Sequence, residues 1–138
     1  MEREPDIRKA GGILIKERRL LVERSQGKDF FISPGGSIEN NETSKRCLVR
    51  ELKEEFGVIV LEEDLEEFGT FSARAAGQEG KVLWMDVFVV NSWQGEPMPN
   101  SEVEEMLWIS SKIPSDIKVG SIFEHEVIPR LKEKGLID

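Results

Sequence analysis

Residues 35–58 of this 138-residue chain read GGSIENNETSKRCLVRELKEEFGV, and the stretch contains both a helix and its boundaries. Thr43 is a suitable N-cap residue and Gly57 is a suitable residue just past a helix C-terminus, so the spacing predicts one helix between them. Since a helix turns about 100° per residue, its large apolar side chains share one arc, which we expect to pack inward. These apolar residues are Leu48, Val49, Leu52 and Phe56.

Three carboxylates occupy the arc beside that apolar stripe. Glu51, Glu54 and Glu55 stand at positions i, i+3 and i+4 of one helix face, so their like charges are expected to meet in a small volume. A hard divalent cation such as Mg²⁺ would neutralise them, because it prefers oxygen ligands and completes its shell with water and substrate phosphates. The alternative is a solvated acidic face, where most glutamates of surface helices lie.

The residues around those carboxylates form a longer pattern. A glycine is followed after five residues by a glutamate. After seven more come Arg-Glu, an aliphatic residue, any residue, Glu-Glu, any residue, Gly and an aliphatic residue. The chain supplies every defined position: Gly36, Glu42, Arg50, Glu51, Leu52, Glu54, Glu55, Gly57 and Val58. This pattern resembles the Nudix box without a substitution, and a match of this length is specific. The resemblance implies a small MutT-type enzyme that hydrolyses a nucleoside diphosphate linked to another group X.

The resemblance also implies roles for individual residues. It implies that three catalytic carboxylates and one backbone carbonyl hold Mg²⁺, or Mn²⁺ in its place, at Glu51, Glu54, Glu55 and Gly36. Arg50 and Glu42 would pair with each other or with the helix carboxylates and orient the metal ligands. Arg24 resembles a basic position that contacts the substrate phosphates, and an ordinary charge at a strand end is the alternative.

The group that activates water is expected in a second acidic segment. Residues 100–105 read NSEVEE and are expected to form a loop before a short strand at residues 107–109. In MutT-type relatives a loop glutamate can complete the metal site, and the spacing favours Glu102, with Glu105 as the alternative. A solvated acidic loop without a catalytic role is the competing interpretation.

The rest of the chain predicts strands and a closing helix. Strands are expected at residues 7–15, 20–23, 68–76 and 81–90. The last of these is apolar on both faces, as a central strand covered on both sides would be. The closing helix is expected at residues 120–134, with a kink or an early break at Pro129. The resemblance implies an α/β fold, a Nudix-type α/β/α sandwich with a mixed sheet between helices, formed by residues 1–138 as one domain.

The composition excludes some partners. A hydrophobic fraction of 38% beside 33% charged residues suits a packed core, and the net charge of −8 argues against a nucleic-acid-binding face. Cys47 is the only cysteine, so no internal disulfide is expected, and the sequence shows neither a signal-peptide core nor a membrane-spanning run. These features predict a cytoplasmic protein without a membrane partner. The resemblance implies a small-molecule substrate, and we expect either a monomer or a homodimer.

The substrate is less constrained than the reaction. Relatives that hydrolyse ADP-ribose carry a proline after the box where this chain has Ser72-Ala73-Arg74, and dinucleoside-polyphosphate enzymes carry a tyrosine, a residue this chain lacks. A nucleoside triphosphate remains, including an oxidised one of the 8-oxo-dGTP type, cleaved to the monophosphate and pyrophosphate. Ile32, Ala73 and Ala75 align with the base-pocket Asn and two Phe residues of animal oxidised-purine triphosphatases, so the base would be recognised differently here.

Two other functions use the same features. A non-catalytic Nudix module that senses a nucleotide usually loses carboxylates of the box, and this chain keeps every one. A hydrolase of a non-nucleotide diphosphate or of a sugar nucleotide would combine the same acidic site with a different pocket.

Overall fold

The structure is a computed structural model that describes residues 4–74 and 80–138. In chain order the strands are β1 (Ile7–Ile13), β2 (Ile15–Lys16), β3 (Arg19–Ser25), β4 (Gly35–Ser37), β5 (Leu65–Arg74), β6 (Val82–Val90) and β7 (Val103–Ile109). Helix α1 spans Ser44–Phe56 and is followed by a 3₁₀ turn at Glu62–Asp64. The C-terminal helical segment joins a π-helical turn at Phe123–Val127 to helix α2 at Ile128–Glu133.

The strands form two sheets. The mixed sheet has the order β4-β1-β6-β5, and in it β1 runs parallel to β6 and antiparallel to β4. The second sheet, with the order β2-β3-β7, is antiparallel. Strand β6 has a partner on each side, and its side chains alternate between two apolar clusters. Met85 and Val87 belong to one cluster, and Phe88 and Val90 belong to the other. The prediction of a central strand covered on both faces is therefore confirmed.

Helix α1 begins and ends where the sequence predicts. The Thr43 hydroxyl accepts a hydrogen bond from the Arg46 amide at 3.1 Å. Gly57 adopts the left-handed conformation at φ 71° and donates its amide to the Lys53 carbonyl. The apolar stripe packs inward: Leu48, Leu52 and Phe56 are buried, and Val49 is partly buried. Since α1 packs on β1 and β4, its acidic flank lies beside strand β4.

The C-terminal helical segment changes its helix type before its proline. Pro129 has no amide hydrogen and cannot bond to the carbonyl of residue 125. The turn before it is π-helical, and the Ile128 amide bonds to the Phe123 carbonyl. The irregularity predicted at Pro129 is thus present as a π-helical turn that precedes α2. The side chains expected to face inward are all buried: Ile122, Phe123, Val127 and Leu131.

The two apolar clusters bring helices to both sides of the strands. One cluster contains Leu48 and Leu52 of α1, and the other contains Val127 and Leu131 of the C-terminal segment. This arrangement is the α/β/α sandwich with a mixed sheet that the sequence predicts. Within the described residues, no helix is both long enough and apolar enough to cross a membrane.

Some boundaries differ from the sequence-based expectation. The strand expected at residues 68–76 begins earlier, at Leu65, and its last two residues lie outside the described ones. Residues 103–105 were expected in a loop, and that expectation was wrong, because they belong to β7 and Arg24 of β3 pairs with Glu105. Strand β7 lies at a sheet edge, where charged side chains can face solvent and mask the strand pattern.

Candidate active site

Strand β4 brings its backbone against the carboxylates of α1. The Gly35 amide donates a hydrogen bond to Glu55 Oε1 at 2.9 Å. Gly35 adopts φ 137°, and a Cβ there would collide with the Ala10 carbonyl, so only glycine fits. A Cβ on Gly36 would lie 2.5 Å from the Glu51 carboxylate. These two glycines therefore permit the close approach of backbone and carboxylates.

Arg50 lies among the outer carboxylates of the site. Its Nε and Nη2 donate to the two carboxylate oxygens of Glu42 at 2.7 and 3.0 Å. Its Nη1 donates to Glu51 Oε1 at 3.0 Å and to Glu54 Oε2 at 3.3 Å. The hydrogen bonds from Arg50 lower the pKa of Glu42 to about 2, because they favour the ionised carboxylate. We call Arg50, Glu42, Glu51 and Glu54 the Arg50 cluster.

Two further carboxylates meet away from Arg50. The carboxyl of Glu23, on β3, lies within hydrogen-bonding reach of the Glu55 carboxyl. Glu23 is only 1% exposed, and no donor among the described residues contacts its Oε2 atom. Burial raises the pKa of both carboxyls, and the neighbouring Glu55 raises that of Glu23 further. We call Glu23 and Glu55 the buried pair.

Glu23 is absent from the residues that the sequence predicts for the site. Leu21, two residues earlier on β3, is buried against α1, so strand alternation points Glu23 to the same side. The Glu23 amide and carbonyl are bonded to Ile32 at 2.8 and 2.7 Å, which fixes the direction of its side chain. A charged residue at a position where alternation predicts burial is the signal that could have identified it.

The carboxylates suit a hard divalent cation by their chemistry rather than by a preassembled geometry. Every side-chain atom that could bind a cation here is an oxygen. The Oε2 atom of Glu23 has no hydrogen-bond partner among the described residues. In residues 4–74 and 80–138, no three His, Cys, Asp or Glu side chains are arranged to hold a metal ion together. The sequence predicts that the three helix carboxylates share a small volume, and in the structure their charges act on one another while their side chains turn to different partners. Glu51 and Glu54 turn to Arg50, and Glu55 turns to the Gly35 amide. Cation binding would therefore require these side chains to reorient.

Arg24 and the second acidic segment lie together on neighbouring strands. The Arg24 guanidinium lies 3.3 Å from a carboxylate oxygen of Glu104 and 3.3 Å from one of Glu105. Glu102 is exposed just before β7, and its carbonyl accepts a hydrogen bond from the Gln26 amide. Within the described part of the chain, neither Arg24 nor Glu102 forms a hydrogen bond or an ion pair with the carboxylates of α1. Among the described residues, these two predicted residues thus make no direct polar contact with the Arg50 cluster or with Glu55.

A pocket of about 260 Å³ opens beside the carboxylates. Gly35 and Gly36 line it, and these residues also contact Glu55 and Glu51, so the pocket adjoins the acidic site. Three basic side chains line the pocket as well: Lys9, Lys28 and Arg74. Among the described residues, none of these three forms a salt bridge. The pocket thus offers positive charge that no salt bridge within the described residues engages, next to the acidic site.

The positions predicted to line a base pocket are distributed differently. Ile32 lines the pocket, beside Phe30 and Leu83. Ala73 packs against the apolar core instead, and Ala75 lies outside the described residues. The apolar wall of the pocket is therefore formed in part by residues that the sequence analysis did not select.

Comparison with known proteins gives the family. The NUDIX domain model matches residues 6–131. An 8-oxo-dGTP diphosphatase from Haemophilus influenzae is 34% identical over 108 residues, which cover 75% of each chain. An ADP-ribose pyrophosphatase from Methanocaldococcus jannaschii is 31% identical over 97 residues, which cover 68% of this chain and 56% of that protein. The crystal structure of a MutT NUDIX hydrolase from Burkholderia pseudomallei superposes with a TM-score of 0.73 at 18% identity, covering 95% of this chain and 98% of that one.

The α/β/α fold, the acidic helix and the family match together define a hydrolase that acts on pyrophosphate bonds. The chain belongs to the Nudix family and is a MutT-type Nudix hydrolase. The resemblance seen in the box is confirmed across the fold, since the family model extends over most of the described residues.

Proposed function

We propose that this chain is a single-domain, Mg²⁺-dependent pyrophosphohydrolase whose preferred substrate is a nucleoside triphosphate, including an oxidised purine triphosphate of the 8-oxo-dGTP type. Water would cleave the anhydride between the α and β phosphates and give the nucleoside monophosphate and pyrophosphate. One observation carries the proposal: an acidic site and a basic pocket adjoin at Gly35 and Gly36. The similarity to the 8-oxo-dGTP diphosphatase of Haemophilus influenzae supports the choice of triphosphate.

The basic residues of the pocket suit the phosphates. A triphosphate needs local positive charge to approach a protein whose net charge is −8. Lys9, Lys28 and Arg74 supply such charge without a competing salt bridge among the described residues. Arg24, the residue predicted to contact phosphate, is already bound by two carboxylates, so we assign the phosphates first to the three pocket residues.

The apolar part of the pocket suits a nucleobase. Phe30, Ile32 and Leu83 form an apolar wall, and the hydroxyls of Ser25 and Ser121 lie at the same pocket. Nucleotide sites commonly combine such a wall with a few polar groups that fix the orientation of the base. The base and the phosphates would thus occupy different parts of one pocket.

The acidic site would hold the divalent cation. Its ligands would come from four positions, which are Gly36, Glu51, Glu54 and Glu55. A bound Mg²⁺ or Mn²⁺ would neutralise phosphate charge and lower the pKa of a water molecule. Arg50 and Glu42 would keep the outer carboxylates in place, because Arg50 bonds to Glu42 in a bidentate manner and to Glu51 and Glu54 at the same time.

Glu102 is proposed to position the attacking water, with Glu105 as the alternative. Glu102 is exposed at the start of β7, and no hydrogen bond to its side chain is present in the described residues. Glu105 is engaged by Arg24 at 3.3 Å. The free side chain is the better candidate for a group that moves to the substrate.

ADP-ribose is the second candidate substrate. The Methanocaldococcus jannaschii relative, which carries the name ADP-ribose pyrophosphatase, is 31% identical to this chain. Both candidates contain a pyrophosphate bond beside a nucleoside, so the acidic site would serve either one. The residues that line the pocket would determine which of the two substrates is preferred.

The test is a panel of diphosphate compounds assayed with Mg²⁺ for kcat/KM. The panel contains dGTP, 8-oxo-dGTP, ATP, CTP, ADP-ribose and a UDP-sugar. We expect a triphosphate to exceed ADP-ribose by about 10-fold or more. Arg74→Gln, which removes one pocket charge, should raise KM for the triphosphate more than it lowers kcat. A preference for ADP-ribose would show that ADP-ribose, and not a triphosphate, is the better substrate. Failure to hydrolyse any compound would refute catalysis and favour a nucleotide-sensing module.

A further inference from the structure

The side chain of Glu23 has a fixed direction and an unsatisfied atom. Strand pairing with Met106 on one side and with Ile32 on the other holds its backbone in place. Its carboxyl is directed at the Glu55 carboxyl, and the residue is only 1% exposed. The Oε2 atom has no hydrogen-bond partner in the described residues. A buried carboxylate oxygen without a donor is rare, because its loss of hydration is not compensated.

No basic residue of the described chain neutralises the buried pair. The donors of Arg50 are directed at Glu42, Glu51 and Glu54. The charge of Lys9 acts on Glu23, but the two residues form no salt bridge. Glu23, which is buried, and Glu55, which is partly buried, are therefore in contact without a salt-bridge partner among the described residues, whereas the neighbouring cluster has one.

A divalent cation would supply the missing partner. Glu55 bonds to Gly35, and Gly35 lines the pocket, so the buried pair adjoins a space that solvent and substrate can enter. Carboxylate oxygens are the ligands that Mg²⁺ and Mn²⁺ prefer. We infer that Glu23 is a further carboxylate ligand of the cation, which it binds together with Glu55 from the β3 side of the site. This inference rests on the proposed function, because it adds a ligand to the metal site proposed there.

The test is Mn²⁺ binding to the substrate-free protein, followed through the electron paramagnetic resonance signal of free Mn²⁺. Glu23→Gln keeps the shape of the side chain and removes the carboxylate that would bind the cation. Glu63→Gln removes one charge from an exposed residue of the 3₁₀ turn and serves as the matched control. We expect Glu23→Gln to weaken Mn²⁺ binding about 10-fold or more, and Glu63→Gln to change it less than about twofold.

A second measurement separates this role from ordinary packing. Without metal, Glu23→Gln should raise the Tm by about 3 °C or more, because it removes one of two carboxyls in contact and offers an amide donor to Glu55. The rise in Tm that Mg²⁺ causes should at the same time be smaller than in the wild type. If Glu23 served only in packing, the Tm without metal and the rise in Tm caused by Mg²⁺ would not change in opposite directions.

Glu55→Gln distinguishes failure of the inference from failure of the proposed function. Wild-type Mn²⁺ affinity in folded Glu23→Gln, with weakened affinity in Glu55→Gln, would overturn the inference and leave the proposed metal site intact. Unchanged affinity in both variants would overturn that metal site as well. If Glu23→Gln does not fold, Glu23→Asp keeps the charge but withdraws it by one methylene. We expect it to bind Mn²⁺ several-fold more weakly, and unchanged affinity there would also overturn the inference.

Discussion

The Arg50 cluster and the buried pair lie on the same flank of helix α1 and differ in how their negative charge is balanced. In the Arg50 cluster, one guanidinium bonds to three carboxylates at distances between 2.7 and 3.3 Å. In the buried pair, the Gly35 amide donates to Glu55, and no arginine or lysine among the described residues forms a salt bridge with either carboxyl. The cluster therefore contains a basic partner for its carboxylates, and among the described residues the pair does not.

This difference assigns separate tasks to the two groups. The Arg50 cluster is built to keep its shape, because bidentate bonds between arginine and a carboxylate fix the orientation of both. The buried pair is built to accept positive charge, because burial makes unbalanced carboxylates unfavourable. Substitutions in the cluster should thus affect stability and activity together. Substitutions in the pair should reduce activity and metal binding without loss of folding.

The largest effect is expected at Glu55. Glu55→Gln keeps the shape of the side chain and removes its charge, so kcat should fall on the order of 10²-fold or more with folding intact. Glu54→Gln should also reduce kcat strongly, although Glu54 is more exposed and is held by Arg50. Steady-state kinetics on the best substrate, with circular dichroism as the folding control, decides the matter. Near-normal rates in both variants would break the assignment of the site.

The second-largest effect is expected at Glu102, which belongs neither to the Arg50 cluster nor to the buried pair. Glu102→Gln should lower kcat roughly 10- to 100-fold, with little change in KM, if this side chain positions the attacking water. Glu105→Gln is the matched control on the same strand end and should do less, because its carboxylate serves Arg24. The two pH–rate profiles should differ as well, with a flatter acidic limb in Glu102→Gln. The reverse order of effects would transfer the role to Glu105.

A smaller effect is expected when the bidentate contact between Arg50 and Glu42 is lost. Arg50→Lys keeps the charge but cannot bond to Glu42 in a bidentate manner, so Tm and kcat/KM should both fall, the latter roughly 10-fold. Arg46→Lys, at an exposed salt bridge of 3.8 Å to Glu62, is the control and should change little. Thermal melts and kinetics on the two variants test this directly. An Arg50→Lys variant with unchanged Tm and rate would show that the cluster does not support the site.

The smallest effect is a pH dependence of stability at Glu42. Its pKa is lowered from 4.5 to about 2 by the hydrogen bond from Arg50, so its contribution is present above pH 4.5 and is lost as the pH falls toward 2. The wild type should therefore be more stable than Glu42→Gln at pH 7, and the difference in free energy of unfolding should shrink between pH 4.5 and 2. Urea unfolding of both proteins across this range measures it. A difference that is constant with pH would contradict the pairing.

The fold follows from local signals in the sequence. Thr43 and Gly57 delimit helix α1, and the alternation of apolar residues in β6 predicts a strand covered on both faces. These signals are reliable because capping and periodicity depend on neighbouring residues. The strand at residues 103–105 was missed. Its charged residues pair with Arg24, which is far away in the sequence, and local sequence patterns carry no information about such pairs.

The candidate site is only partly predictable for the same reason. The box places Glu51, Glu54 and Glu55 on one helix flank, but it does not contain the contacts that give them different partners. The meeting of Glu23 with Glu55 depends on how β3 packs against α1, which is a tertiary relation. In the sequence, this contact is indicated only by a carboxylate two residues after the buried Leu21.

The central claim is that cation-bound carboxylates cleave a pyrophosphate bond in a nucleotide held by the adjoining pocket. The most direct measurement is phosphorus NMR of a nucleoside triphosphate incubated with the protein, first in EDTA and then with excess Mg²⁺. We expect no reaction in EDTA, and nucleoside monophosphate plus pyrophosphate once Mg²⁺ is restored. Turnover without any divalent metal, or products consisting of nucleoside diphosphate and inorganic phosphate, would contradict it.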